Sequence, residues 1–455
     1  MHAYLISLSP GLKLGLTLLS IVLLMRARAG MGVALLAGTA VLGLLFPVPL
    51  ADFGRAVLTG IFQEKTILLM VIVGGLLTFS GSLNATGQIQ RIIDAFTKMT
   101  GKSRLTLVTF PAVIGLLPMP GGAIFSAPMV EAAVKDAPIT PSRTTAANYW
   151  FRHIWEYWFP LYPGIILFLT LTRVNREMFI LAQLPMTLCS LALGYVILLR
   201  GIQLGGERTR DFSSANLGVF FKELIPILLV VGCVLFLSTI LDFLLGAAGP
   251  GKTSPAQGIP GGAHPSAQVR DTLGIAVLKD MPVVAGLLLA FGWLFVYRGL
   301  SWRTLGSLAL KKNTASMLFM VLGVVIFQSV LENGSAVSDL NRQFERSGVP
   351  LVAVICAVPF ICGLVIGVAF GFVGASFPLV IALLASMPES ERLPYYCLAY
   401  VMAYTGMMLS PVHICLIVTN QYFKSHLGRV YGYLAPLCVL SAGFGVLLFL
   451  LYRTF

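Results

Sequence analysis

The sequence predicts an all-α polytopic membrane protein: two inverted repeats, about ten transmembrane helices, two re-entrant hairpins and two broken helices. Three observations predict it. First, 57% of the 455 residues are apolar and 11% are charged, against ~25% charged in a soluble domain, with a mean hydropathy of +0.89. A soluble protein could not hide that much apolar surface. Second, apolar runs of membrane-crossing length recur along the chain. Third, the 46 Gly and 25 Pro rule out a bundle of unbroken helices only.

Taken in order, apolar runs place spans near 5–25, 31–49, 66–84, 141–173, 177–199, 220–247, 273–297, 315–331, 393–420 and 430–452. The first run ends in Arg26 and Arg28 and has no cleavage site, so it reads as a retained span. Runs 105–134 and 351–387 are broken in their middles by Gly and Pro, leaving arms too short for a ~30 Å core. Both read as hairpins that enter and leave on one side. The stretches 50–65, 87–103, 299–314 and 335–349 are amphipathic and suit the membrane interface. Residues 201–217 read as an inner linker, and 249–268 as a flexible Gly/Pro-rich outer loop.

The net charge of +13 sits in short loops. No aromatic–basic interleaving accompanies it, so no nucleic acid is expected as a partner. With the N-terminus outside, the inner loops carry nearly twice the Lys and Arg of the outer ones, including Arg91, Lys98, Lys102, Arg104, Arg200, Arg208, Arg210, Lys311 and Lys312. Counting the hairpins as full spans erases the bias, so the hairpin reading fits the positive-inside rule. Both termini are then outside a cytoplasmic membrane.

Residues 1–200 and 218–455 follow one plan at an offset of about 250, with Pro111, Pro128 and Pro160 matching Pro359, Pro378 and Pro411. Each half has an odd number of crossings, so the two halves are inverted, as in secondary transporters. The hairpin tips are placed at Pro118, Pro120, Gly121 and Gly122, followed by Ser126, and at Gly371, Gly374 and Ser376. The broken spans bend at Pro160, Pro163 and Gly164, and at Thr405, Gly406, Ser410 and Pro411. Irregular backbone at membrane depth belongs beside a wet cavity or inside protein, where helix ends attract ions.

The most polar span runs from Asn148 to Trp158. Arg152 and Glu156, four apart, either pair structurally or expose Arg152 to an anionic substrate; a third reading has Arg152 snorkel to the inner headgroups. His153, Glu156 and the hairpin's Glu131 are candidate coupling or proton carriers. His153 and Glu156 share a helix face at a spacing that can bind metal, but with too few ligands, so no metal is expected. His413 reads as a packing or hydrogen-bonding residue, and the seven cysteines read as buried small hydrophobes.

The segments Leu117-Pro-Met-Pro-Gly-Gly-Ala-Ile-Phe-Ser-Ala-Pro-Met-Val130 and Asn148-Tyr-Trp-Phe-Arg-His-Ile-Trp-Glu-Tyr-Trp-Phe-Pro-Leu-Tyr-Pro-Gly164 resemble the membrane-protein family called domain of unknown function 401. That family is placed in the ion transporter superfamily, with the dicarboxylate, citrate and gluconate carriers. The resemblance implies a homodimeric elevator coupled to sodium or protons, with substrate held at the hairpin tips. The Ser-Asn-Thr tip motif of the dicarboxylate carriers is absent here.

The expected function is secondary transport of a small anionic organic solute across a lipid bilayer, with no enzymatic activity and no cofactor beyond a coupling sodium or proton. Asn148, Arg152, Thr405 and Ser410 join the tip residues as substrate contacts. The alternatives are a lipid or amphiphile transporter, an ion channel and a membrane-embedded metalloenzyme.

Overall fold

The computed structural model describes residues 8–27, 29–100, 104–116, 122–135, 137–202, 213–237, 240, 265–348 and 350–454. Pro118, Pro120 and Gly121 of the first tip, most of the 201–217 linker and most of the 249–268 loop lie outside the described residues. Among those described, the chain is helical throughout and has no strand.

In the first half the helices are α1 (Pro10–Arg26), α2 (Met31–Leu45), α3 (Leu50–Phe62), α4 (Glu64–Ala85), α5 (Gln88–Thr100), α6 (Arg104–Gly115), α7 (Ala123–Val134), α8 (Pro141–Arg152), α9 (Pro163–Thr172) and α10 (Arg176–Gly194), which runs on through a π turn at Tyr195–Leu199. The second half continues with α11 (Ser214–Gly232), α12 (Pro265–Arg298), α13 (Trp302–Ala309), α14 (Lys312–Asn333), α15 (Ala336–Ser347), α16 (Leu351–Ile366), α17 (Ala369–Leu383), α18 (Glu389–Met408), α19 (Ile414–Tyr422) and α20 (Leu427–Thr454). The amphipathic stretches become α3, α5, α13 and α15.

Local signals explain many of the boundaries. Pro10, Pro141 and Pro163 each open a helix, where a missing N–H costs nothing. Asn175 caps α10 by accepting from Met178 N at 2.8 Å, and Ser301 caps α13 by accepting from Thr304 N at 3.1 Å. Gly367, at φ +68°, ends α16 in the left-handed conformation that favours glycine.

Among the described residues, six helices or helix segments are long and apolar enough to cross a membrane: Glu64–Ala85, Arg176–Leu199, Asn216–Leu237, Met281–Arg298, Lys312–Glu332 and Leu427–Thr454. Shorter apolar helices accompany them. The chain is therefore a multi-pass membrane protein.

The helices pack in two groups. In one, α14 lies against α2, α3 and α4, while α12 lies against α4 and α11, and α11 against α5. In the other, α6 packs on α8, α16 on α18, α9 on α17, α7 on α19, and α20 on α8, α10 and α18. The groups meet chiefly where α4 touches α9 and where α14 and α15 touch α17.

A buried polar knot holds the first group. Arg298 donates from Nη2 to Glu223 Oε2 at 2.5 Å and from Nε to Gln88 Oε1 at 2.6 Å, while Gln88 Nε2 donates to Glu223 Oε2 at 2.7 Å. Removing one partner strands a charge at the α5–α11–α12 junction. Glu223→Ala is expected to destabilise the fold by on the order of 3 kcal/mol, read as a lower thermal-unfolding midpoint in detergent. An unchanged midpoint would mean that the knot is solvated and idle.

Candidate functional site

The broken span departs from its sequence reading. A single helix face was expected to carry both His153 and Glu156. Instead α8 ends at Arg152 and residues 153–162 form successive turns before Pro163 restarts the helix. Pro160 supplies no N–H to continue a helix. The carbonyls freed by the break are recovered by other helices. The hydroxyls of Tyr404 and Tyr400 donate to the carbonyls of His153 and Glu156 at 2.9 and 3.1 Å, and Thr187 Oγ1 donates to that of Ile154 at 2.6 Å. Irregular backbone at membrane depth is tolerated where such groups find partners.

Arg152 is 1% exposed, so it does not snorkel. Its Nη1 pairs with Glu156 Oε1 at 3.4 Å. The same guanidinium lies against Gly122 at the start of α7; a side-chain carbon there would come within 3.0 Å of Arg152 Nε. Glycine at 122 thus lets the start of α7 approach the cation closely. One helix up, Gly115 of α6 abuts the Arg152 carbonyl, and Tyr162 donates its hydroxyl to the Gly115 carbonyl.

The second break is shorter, running from Leu409 to His413 between α18 and α19. Ser410 is buried beside Gly367, where an added side-chain carbon would lie 2.7 Å from the serine Oγ. Pro411 is exposed. Thr405 donates back to Val401 O at 2.7 Å within α18, and Gly406 fits against the Phe360 carbonyl of α16.

A cavity of about 90 Å³ lies where these pieces meet. Its walls include Arg152, His153, Glu156, Tyr162 and Gly164 of the first half, and Gly367, Ala369, His413 and Cys415 of the second. Leu77 of α4 and Met317 of α14 close one side. The N-terminal ends of α9, α17 and α19 all border it. Helix N-termini carry partial positive charge and unused N–H groups.

Other expected residues fall elsewhere. Ser126 Oγ donates to Asn148 Oδ1 at 2.6 Å, and Asn148 Nδ2 donates to Ala123 O at 3.1 Å and Thr419 Oγ1 at 3.3 Å. This knot ties α7, α8 and α19 together beside the cavity. Glu131 is not brought to the cluster: it is exposed and accepts from the Tyr422 hydroxyl at 2.6 Å. The second tip also needs correction. It lies at Gly367–Val368, whereas Gly371, Gly374 and Ser376 are inside α17. Gly374 faces Val324 of α14, Gly371 faces Met31 of α2, and Ser376 donates to Phe372 O at 2.7 Å.

Sequence reasoning left four contributors out of the site. His413 and Cys415 reach the first break from the other half: His413 Nε2 is 3.1 Å from His153 Nε2. Tyr400 and Tyr404 have the i, i+4 spacing that puts two hydroxyls on one helix face, a signal that was present but unread. No curated protein matches the chain. The profile of one family, however, matches residues 12–249 and 268–452. The chain belongs to that family, described as protein of unknown function (DUF401).

Proposed function

We propose that this protein is a secondary transporter of a small anionic organic solute, working by elevator-type alternating access with proton or sodium coupling. The observation that carries the reading is the convergence of three helix N-termini and a buried arginine on one cavity, walled by breaks from both halves. Such discontinuous helices at a repeat interface are where transporters bind anionic substrates.

An inverted repeat is supported by more than the order of elements. Gly115 of α6 abuts the Arg152 carbonyl of α8, and Gly363 of α16 abuts the Ala403 carbonyl of α18. The second arms also swap: α7 packs on α19, and α9 on α17. The moving body in this reading is α6–α10 with α16–α20, and the scaffold is the other group, which also carries the homodimer contact.

Among the described residues, the scaffold touches α9 and α17 but makes no comparable contact with their counterparts α19 and α7. With both termini outside, α9 and α17 occupy the outer half of the bilayer. The asymmetry then fits a carrier in its inward-open state.

Purified protein in liposomes, tested against a broad panel of organic acids with imposed proton and sodium gradients, is expected to give saturable, gradient-driven uptake of at least one acid. A panel with neither uptake nor binding would sink the reading. Non-saturating electrical current would assign the fold to a channel.

A further inference from the structure

We propose that His153, His413 and Cys415 form a binding site for a borderline-soft divalent transition metal of the zinc type. Nothing in this inference depends on transport, and metal binding is measured without flux. The three ligand atoms all lie within 4.8 Å of one another, and all three residues are buried. The two Nε2 atoms are 3.1 Å apart. Two nitrogens bound to one tetrahedral ion at ~2.0–2.1 Å stand about 3.3 Å from each other.

The surroundings orient these ligands. His153 Nδ1 sits 2.6 Å from the Tyr149 carbonyl, which places the proton on Nδ1 and leaves Nε2 bare for an ion. The Tyr149 ring packs edge-on against both imidazoles, at 4.7 Å and 5.3 Å between centroids, and holds them in place. Glu156 Oε1 is 3.8 Å from His153 Nε2 and pairs with Arg152 Nη1, outside the three-ligand cluster.

The donor set decides the metal class. Two imidazoles and one thiolate suit zinc or cobalt, whereas magnesium and calcium demand oxygen ligands. Binding displaces the Cys415 thiol proton to solvent as the sulfur–metal bond forms. Thiolate, carboxylate, Arg152 and a divalent ion together carry one net positive charge, which suits a cavity for an anion. The first break supplies His153, the second supplies His413 and the first turn of α19 supplies Cys415, so the ion would staple the two halves beside their breaks.

The test uses the full chain, purified by a tag that binds no metal. Elemental analysis after loading with zinc, and titration with cobalt(II), are expected to give about one ion per chain. The cobalt form is expected to show a thiolate-to-cobalt charge-transfer band. Cys415→Ser, which preserves side-chain volume, should lose that band. His413→Ala should weaken binding at least about tenfold, since even outer-shell losses cost about that much. Zinc should raise the thermal-unfolding midpoint of the wild type but not of the Cys415→Ser/His413→Ala double variant. A wild type that binds no more metal than this double variant overturns the proposal, as does a charge-transfer band that survives in Cys415→Ser.

Discussion

Replacing Arg152 by lysine is expected to cut solute uptake into proteoliposomes at least about tenfold, nearly as much as replacement by alanine. The reason is geometric. A guanidinium presents a planar fork of donors that engages a carboxylate through two parallel bonds, and an ammonium cannot reproduce that pattern. Arg152 is 1% exposed, lines the cavity and is covered by Gly122. The complication is Glu156, paired with it at 3.4 Å. Arg152→Ala alone strands a buried carboxylate, which costs ~3–5 kcal/mol in comparable pairs, so lost uptake would be confounded with lost folding.

The double variant Arg152→Met/Glu156→Leu separates the two effects. Replacing a buried pair with apolar side chains of similar volume is often neutral for stability. Its thermal midpoint is therefore expected near that of the wild type, with uptake still absent. If the double variant transports normally, the pair is structural only and the anion contact lies elsewhere.

The way the sequence misassigned residues around this pair is physically informative. Long apolar helices and amphipathic arms are legible because they depend on local composition: apolar length and one-sided polarity. The second tip is not. A run holding Gly367, Gly371 and Gly374 does not reveal which glycine bends the chain. Only Gly367 takes a positive φ, of +68°, while Gly371 and Gly374 are small because α2 and α14 come close. One residue type serves two purposes, and only tertiary packing separates them.

His413 and Cys415 were hidden for a different reason. Their partner, His153, lies 260 positions away from His413, and no local periodicity marks such a pair. Glu131 shows the converse. A carboxylate in an apolar hairpin looked functional by the cost of burial, yet it reaches the surface and meets Tyr422.

Locking α17 to α14 is expected to abolish uptake outright, because α17 belongs to the proposed moving body and α14 to the scaffold. Gly374→Cys paired with Val324→Cys suits this test. A side-chain carbon at position 374 would lie 3.4 Å from Val324 Cβ, near the ~3.5–4.5 Å separation found in disulfides. The background would have Cys189, Cys233, Cys356, Cys362, Cys397 and Cys438 replaced, with Cys415 kept.

Oxidation of the double variant should stop uptake, and reduction should restore it. Neither single variant should respond to oxidant. The logic rests on reach: a disulfide holds the two Cα atoms within ~7 Å, and a body that carries a substrate past a scaffold has to exceed that. Gly371 and Gly374 on α17 leave room for the side chains of Met31 on α2 and Val324 on α14, and small residues let helices approach closely. Full uptake by protein shown to be completely cross-linked would mean that α17 and α14 do not separate, and the cavity would then have to open by movement of the hairpin tips alone.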